Sequence, residues 1–187
     1  MSSSDPQVSG ALACGLREVV AEIVGASAID RALGRLSVDV RATYSGALPV
    51  GWVPIRVMEA VFREIAVEAG TNVADLHVRV ARTSIERTFR RFLRMLLKIT
   101  TDQALVSRTP VIFARSYDCG RLEAKIPEPG RGVITLLDWP DAPDWPLRAT
   151  RVGIETVLSI AGRRDVRVTC SRTSSGAIFF ANWGVSR

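Results

Sequence analysis

Apolar residues recur at helical spacing through the first 118 residues of the chain and at strand-like spacing from residue 119 onward. The first part predicts helices at residues 11–25, 29–44, 55–69, 79–98 and 101–120, the last of them interrupted by Pro110. The second part predicts strands at residues 121–126, 132–139, 165–171 and 176–183, with a helix at 147–161 between the two pairs. We therefore expect an α+β fold, in which a helical N-terminal half packs on a small antiparallel ββαββ sheet.

The length and composition of the chain fit one globular domain. Residues 1–10 read MSSSDPQVSG, which lacks the basic and apolar regions of a secretory signal, and we expect a disordered tail there. We expect residues 11–187 to form a single domain, mainly helical over 11–118 and ββαββ over 119–187. Because no apolar run approaches the ~20 residues that cross a bilayer, we expect no membrane span and a cytoplasmic protein.

Positive charge is concentrated in one predicted helix. Residues 79–98 carry seven cationic side chains and one acid, so this stretch accounts for the whole formal net charge of +6. At about 100° per residue, most of these cations share one face of the helix and the apolar residues share the opposite face. The candidate anion-binding or partner-binding residues on the cationic face are Arg87, Arg90, Arg91 and Arg94.

Three interpretations of this cationic face are open. It is solvated or paired within the molecule, it binds an acidic protein or nucleic acid, or it lies on a membrane surface. The second interpretation fails if carboxylates of the preceding helix, such as Glu59, Glu64 and Glu68, already pair with these arginines.

Cysteine and histidine are too few for the usual metal and catalytic sites. Cys14, Cys119 and Cys170 include no CxxC pair, and His77 is the only histidine. A zinc site needs several such ligands, and a catalytic triad needs a histidine beside its nucleophile. We therefore expect three reduced thiols, no metal, no catalytic residue and no enzymatic activity.

A stiff aromatic segment joins the predicted hairpin to the helix that follows it. Residues 139–146 read WPDAPDWP. Trp139 and Trp145 either rim a ligand pocket or contact a partner, or they simply cover the core.

Several segments of the chain resemble a bacterial protein family. They are TTDQALVSRTPVIFARSYDCGRLEA at 100–124, ATRVGIETVLSIAGRRDVRV at 149–168 and FFANW at 179–183. In this order they resemble the myxobacterial paralogous family of unknown function and, more widely, sensor domains related to the 4-vinyl reductase and haem nitric-oxide-binding folds. The resemblance covers residues 44–183 and implies a helical cap packed on a small antiparallel sheet, around an apolar ligand cavity.

The haem-binding motifs of those relatives are not repeated in this chain. Haem-binding relatives use a proximal histidine and a Tyr-x-Ser-x-Arg motif. Here Tyr44 and Ser45 are followed by Gly46, and Tyr117 is followed by Asp118. The resemblance therefore implies a sensor fold without haem, and we expect no cofactor.

Two functions of different classes follow from these observations. The first is a non-enzymatic cytoplasmic sensor or regulatory adaptor, which binds a small apolar ligand, a protein partner, or a second copy of itself in a homodimer. The alternative is a binding module whose basic helix grips nucleic acid or an acidic protein surface, with an affinity that falls steeply as salt rises.

Overall fold

The computed structural model describes the backbone of residues 5–96 and 101–184, and the side chains of the same ranges except residues 90–96. The chain divides into two compact units. The first unit comprises the described residues of Met1–Val80 and Ser116–Asp118, and the second comprises those of Ala81–Arg115 and Cys119–Arg187. That both units belong to a single domain over residues 11–187 stays a prediction.

Within the described residues, the first unit combines helices with a two-stranded antiparallel sheet. Its helices are α1 (Gly10–Val24), α2 (Ala26–Gly34), α3 (Val38–Ser45), α4 (Ile55–Glu68) and the beginning of α5 (Val73–Leu96). Its strands are β1 (Gln7–Ser9) and β2 (Trp52–Pro54).

Strand β1 lies within the stretch that the sequence predicts to be a disordered tail. Val8 is fully buried and pairs with Val53 of β2, and the Gln7 N–H donates to Asp118 Oδ1 at 2.7 Å. A single apolar residue in a polar segment gives no periodicity, so the pattern does not reveal this strand. Its order comes from burial and from partners distant in sequence.

The helix predicted at residues 29–44 is two helices in the structure. Helix α2 ends near Arg35, and Ser37 has an extended backbone (φ −59°, ψ 153°) before α3 begins. Helix α2 buries Ile29 and Ala32, whereas Tyr44 is the buried residue of α3. The break therefore separates two segments that each bury their own short apolar face.

Helix α4 supplies much of the buried core of the first unit, and it confirms the helix predicted at residues 55–69. Its buried residues are Ile55, Val57, Met58, Val61, Phe62, Ile65 and Ala66. Burying the larger of these side chains contributes roughly 1.5–3 kcal/mol each. The 3.6-residue spacing places all of them on one side of the helix.

Within the described residues, the second unit consists of the remainder of α5, most of α6, a further helix and an antiparallel sheet. These elements are α6 (Asp102–Ser116), β3 (Arg121–Glu128), β4 (Arg131–Leu137), α7 (Asp144–Ile160), β5 (Arg164–Thr173) and β6 (Gly176–Gly184). The four strands pair in the order β3-β4-β6-β5, so the two hairpins lie side by side. The α+β fold with a ββαββ sheet is confirmed.

One face of this sheet is buried, and α7 packs against β5 and β6. The buried strand residues include Leu122, Ile134, Leu136, Val168, Ala177, Phe179, Ala181 and Trp183. Helix α7 buries Trp145, Pro146, Leu147, Val152, Thr156 and Leu158. Strand alternation sends Phe180 to the other face, where it is 40% exposed.

Helix α6 begins where the sequence predicts. The Thr101 hydroxyl accepts a hydrogen bond from the Ala104 N–H at 3.2 Å and so caps the first turn. Pro110 lies inside the helix, which ends at Ser116 and not near residue 120, and the kink predicted at this proline stays a prediction. Among the described helices, none combines the length and the apolar character needed to cross a membrane.

Candidate functional site

The helix predicted at residues 79–98 lies within α5 (Val73–Leu96), which confirms it as far as residue 96 and begins six residues earlier than predicted. Arg87 is half-buried. The side chains of Arg90, Arg91 and Arg94 lie outside the described residues. Binding of an anion or a partner by these four arginines therefore stays a prediction.

Two acids of α4 are engaged by α2 within the first unit. Arg35 donates to Glu64 Oε2 at 3.0 Å and to Glu68 Oε2 at 2.8 Å, and Arg31 donates to the other carboxylate oxygen of Glu68. The hydrogen bonds from Arg31 and Arg35 lower the pKa of Glu68, and those from Glu68 and Glu64 raise the pKa of Arg35. These two carboxylates are therefore committed to the arginines of α2.

Trp139 and Trp145 are buried in the second unit, at 5% and 4% exposure. Arg172 of β5 holds the segment between them, because it donates to the Ala142 carbonyl at 2.7 Å and to the Asp144 carboxylate. Burial agrees with the interpretation that the two indoles cover the core. Their role as a pocket rim or partner contact stays a prediction.

A polar cleft of about 200 Å³ lies between α5 and α7 in the second unit. Its lining residues are Arg82, Glu86, Glu155, Thr156, Ser159 and Ile160. Arg82 donates to Glu155 Oε1 at 3.1 Å and so joins the two helices. The Ser159 hydroxyl donates to the Glu155 carbonyl at 2.8 Å. Because most of the lining is polar, this cleft differs from the apolar cavity that the resemblance implies.

The single histidine and both tyrosines are buried in the first unit. His77 is 6% exposed, and its ring centroid lies 4.9 Å from that of Phe62 with the planes tilted by 44°. Tyr44 is 2% exposed, and burial raises its pKa to about 12. Tyr44 is therefore a neutral phenol at physiological pH.

The three cysteines are free thiols. The Cys14 thiol donates to the Ala47 carbonyl at 3.4 Å, and burial raises the pKa of Cys170. Among residues 5–96 and 101–184, no group of three or more His, Cys, Asp or Glu side chains is arranged to hold a metal ion.

Solved structures with the same fold are H-NOX domains. A mutant of the H-NOX protein from K. algicida, in its unliganded iron(II) form, is 8% identical, with a TM-score of 0.71 over 95% of this chain and 97% of that chain. A mutant of the T. tengcongensis H-NOX domain is 14% identical, with a TM-score of 0.63 over 93% and 96%. An oxygen-binding H-NOX domain related to soluble guanylate cyclases is 14% identical, with a TM-score of 0.59 over 93% and 94%.

No protein-family model and no curated protein matches this chain. At such low identities, the similarity to the solved structures establishes the fold alone. The predicted relation to the haem nitric-oxide-binding fold is confirmed at that level, and membership of the myxobacterial family stays a prediction.

Among the side chains that the structure describes, His77, Tyr44 and Cys14 are not presented as haem ligands. Haem iron is held in proteins by His, Cys, Met or Tyr. His77 is packed against Phe62, burial keeps the Tyr44 phenol protonated, and the Cys14 thiol is hydrogen-bonded to the Ala47 carbonyl. The sequence contains no second histidine that could take the proximal position.

Sequence reasoning missed the residues of the α5–α7 cleft. The candidate residues of the basic helix were those on its cationic face. At 100° per residue, Arg82 and Glu86 lie beside that face, on the side toward the apolar residues. This offset was the available signal that Arg82 points to a neighbouring helix. Its partner Glu155 could not be identified, because nothing in the pattern sets which face of α7 meets α5.

The chain therefore has the fold of H-NOX domains.

Proposed function

We propose that this chain is a non-enzymatic sensor or regulatory domain that uses an H-NOX-like fold without haem. The observation that carries the proposal is the whole-length fold similarity, which covers 95% of this chain and 97% of the K. algicida chain. H-NOX neighbours are described as iron(II) or oxygen-binding domains. Fold does not by itself imply function, so the binding of a small ligand is proposed here by analogy with these neighbours.

The proposed ligand is small and apolar, and the proposed output is a change in contact with a protein partner or with a second copy of the chain. A ligand that binds the folded state alone raises its stability. The cytoplasm is the proposed location, since the three cysteines are free thiols.

Haem uptake tests the proposal. We expect the purified chain, titrated with hemin, to give no stoichiometric Soret band, because its one histidine is packed against Phe62. A T. tengcongensis H-NOX domain treated in the same way serves as the positive control. A saturable band that disappears in the His77→Ala variant, with hemin in equal amount, would show that His77 binds the iron and would contradict the proposal.

A second candidate function rests on the fate of the α4 acids. Glu64 and Glu68 are paired with Arg31 and Arg35 of α2. These two carboxylates are thus removed from those that could neutralise the basic stretch of residues 79–98. This favours the alternative of a nucleic-acid-binding or acidic-protein-binding helix, whose affinity falls steeply with salt.

The four candidate arginines provide the variant for this alternative. Replacing Arg87, Arg90, Arg91 and Arg94 with glutamine is expected to abolish salt-sensitive binding to duplex DNA. Glutamine at four exposed arginines elsewhere makes the control variant, which keeps the same net charge: Arg41, Arg63, Arg108 and Arg167. Equal loss in the two variants would indicate a general effect of net charge.

A further inference from the structure

The buried hydroxyl of Thr156 is the starting point of a further inference. Thr156 lines the α5–α7 cleft and is 6% exposed, and its Oγ1 has no hydrogen-bond partner among the described residues. Buried polar groups in folded proteins almost always have a partner, from the protein, from water or from a ligand. Thr156 also lines the cleft, so a small ligand bound there is the candidate partner for this hydroxyl.

The charged lining of the cleft offers groups of both signs. Arg82 is 50% exposed and donates to Glu155 through one terminal nitrogen, which leaves its other N–H groups for a ligand. Glu86 lies four residues further along α5 and lines the same cleft. Side chains at this spacing are about 5–6 Å apart at Cβ, so a cationic and an anionic group face the same small volume.

Glu155 is paired with two arginines, so the negative charge that remains in the cleft lining is that of Glu86. The second oxygen of Glu155 accepts from Arg151 at 3.5 Å, one turn back along α7. With Arg82 and Arg151 both on Glu155, that carboxylate is balanced, and Glu86 is the acid in the lining that can meet a cation. The Ser159 hydroxyl uses its proton in the hydrogen bond to the Glu155 carbonyl and presents oxygen lone pairs as an acceptor.

Close packing beside the cleft fixes the spacing of the two helices. Gly153 of α7 faces Ile85 of α5, and a Cβ at residue 153 would lie 3.3 Å from Ile85 Cδ1. This contact and the Arg82–Glu155 ion pair hold α5 and α7 together at two points. The cleft therefore lies between two helices that contact each other at these two points.

We propose that this cleft binds a small zwitterion of amino-acid size. Its anionic group is held by Arg82, its ammonium group by Glu86, and Thr156 donates or accepts a hydrogen bond between them. The volume of about 200 Å³ lies below the roughly 300–1,000 Å³ of pockets for drug-sized ligands, which favours a ligand of few atoms. The site is independent of the apolar ligand in the proposed function.

Thermal unfolding of the full chain with small charged probes tests this assignment. Glycine, L-serine and glycine betaine are the zwitterions, and sodium acetate and methylammonium chloride at the same ionic strength carry one sign each. We expect at least one zwitterion at millimolar concentration to raise the melting temperature in a saturable way, while acetate and methylammonium do not. No shift with any zwitterion, or an equal shift with acetate, would overturn the proposal.

The Thr156→Val variant separates ligand recognition from folding. Without ligand, valine removes a buried hydroxyl that lacks a partner and should raise the melting temperature by about 2–4 °C. Affinity for the zwitterion should fall about tenfold, the value of one hydrogen bond. Thr150→Val, on the same helix but outside the cleft lining, should leave the affinity unchanged. A Thr156→Val protein with a lowered melting temperature and full zwitterion binding would contradict the role of the hydroxyl.

Discussion

The most informative residues of this chain are those with a buried hydroxyl group that lacks a hydrogen-bond partner. Tyr44 in the first unit and Thr156 in the second each bury a hydroxyl that has no hydrogen-bond partner among the described residues. Leaving such a group unpaired costs roughly 1–3 kcal/mol. Sequence patterns cannot reveal them, because a tyrosine or threonine at an apolar position looks the same whether or not its hydroxyl is satisfied.

The Tyr44 phenol makes folding sensitive to alkaline pH. Its folded pKa is about 12 against an ordinary 10.0, so above pH 10 the unfolded chain loses a proton that the folded chain keeps. Stability therefore falls as pH rises from 10 toward 12, by about 1.4 kcal/mol per pH unit. The Tyr44→Phe variant should lack this loss, and it should be more stable than the wild type at pH 7 by about 1 kcal/mol, because it removes a buried hydroxyl that has no partner among the described residues.

Denaturant unfolding at pH 9 and pH 11 measures the effect as the difference between wild type and variant. Tyr117→Phe alters the other tyrosine of the chain, leaves Tyr44 in place and should retain the contribution of Tyr44 to the alkaline loss. If Tyr44→Phe and wild type lose equal stability between the two pH values, then Tyr44 does not titrate as its burial requires.

At the scale of elements, long periodic segments were predictable and short ones were not. Helices α1 and α4 and the two hairpins follow the apolar spacing of the sequence. Strand β1 does not, since it gains its order from partners distant in sequence. The break between α2 and α3 does not either, because the apolar spacing continues across it. The α5–α7 cleft belongs to this second group, because it requires the relative rotation of two helices.

The glycines of α1 give a matched test of local packing. Gly10 donates its N–H to the Gly51 carbonyl at 2.7 Å, and a Cβ there would lie 1.8 Å from the Leu48 carbonyl oxygen. Gly15, in the middle of the same helix, would meet nothing within 4 Å. Gly10→Ala should therefore cost about 3 kcal/mol through overpacking, whereas Gly15→Ala should stabilise the protein by about 0.5–1 kcal/mol.

Chemical denaturation of the two glycine variants beside the wild type gives both values. Opposite signs are the expected result. Equal stability of Gly10→Ala and Gly15→Ala would mean that the loop at residues 48–51 does not close on the start of α1 as described.

In the molecule as a whole, the fold depends on many apolar positions, whereas ligand chemistry depends on a few single side chains. The fold of the H-NOX neighbours is kept over nearly all of the chain at 8–14% identity in the structures compared. A buried pattern of apolar residues is enough to specify this fold, since many sequences satisfy the same pattern. The haem ligand set depends on single side chains, and a sequence can lose those while the core remains.

The location of the net charge could be predicted from the sequence, but the pairing of individual charges could not. The net charge of +6 arises from residues 79–98, and composition alone was sufficient to locate it. Pairing was not predictable, because Glu64 and Glu68 lie on α4 but bind α2. Which charges remain for a partner therefore depends on tertiary structure.

Native mass spectrometry of the freshly purified protein is the measurement that tests whether the chain is a haem-free sensor of a small apolar ligand. We expect a small apolar molecule bound to the intact chain, no mass corresponding to haem, and the same spectrum at low and raised salt. A stoichiometric haem adduct would contradict this function. So would a ligand-free chain that copurifies with nucleic acid and releases it at raised salt.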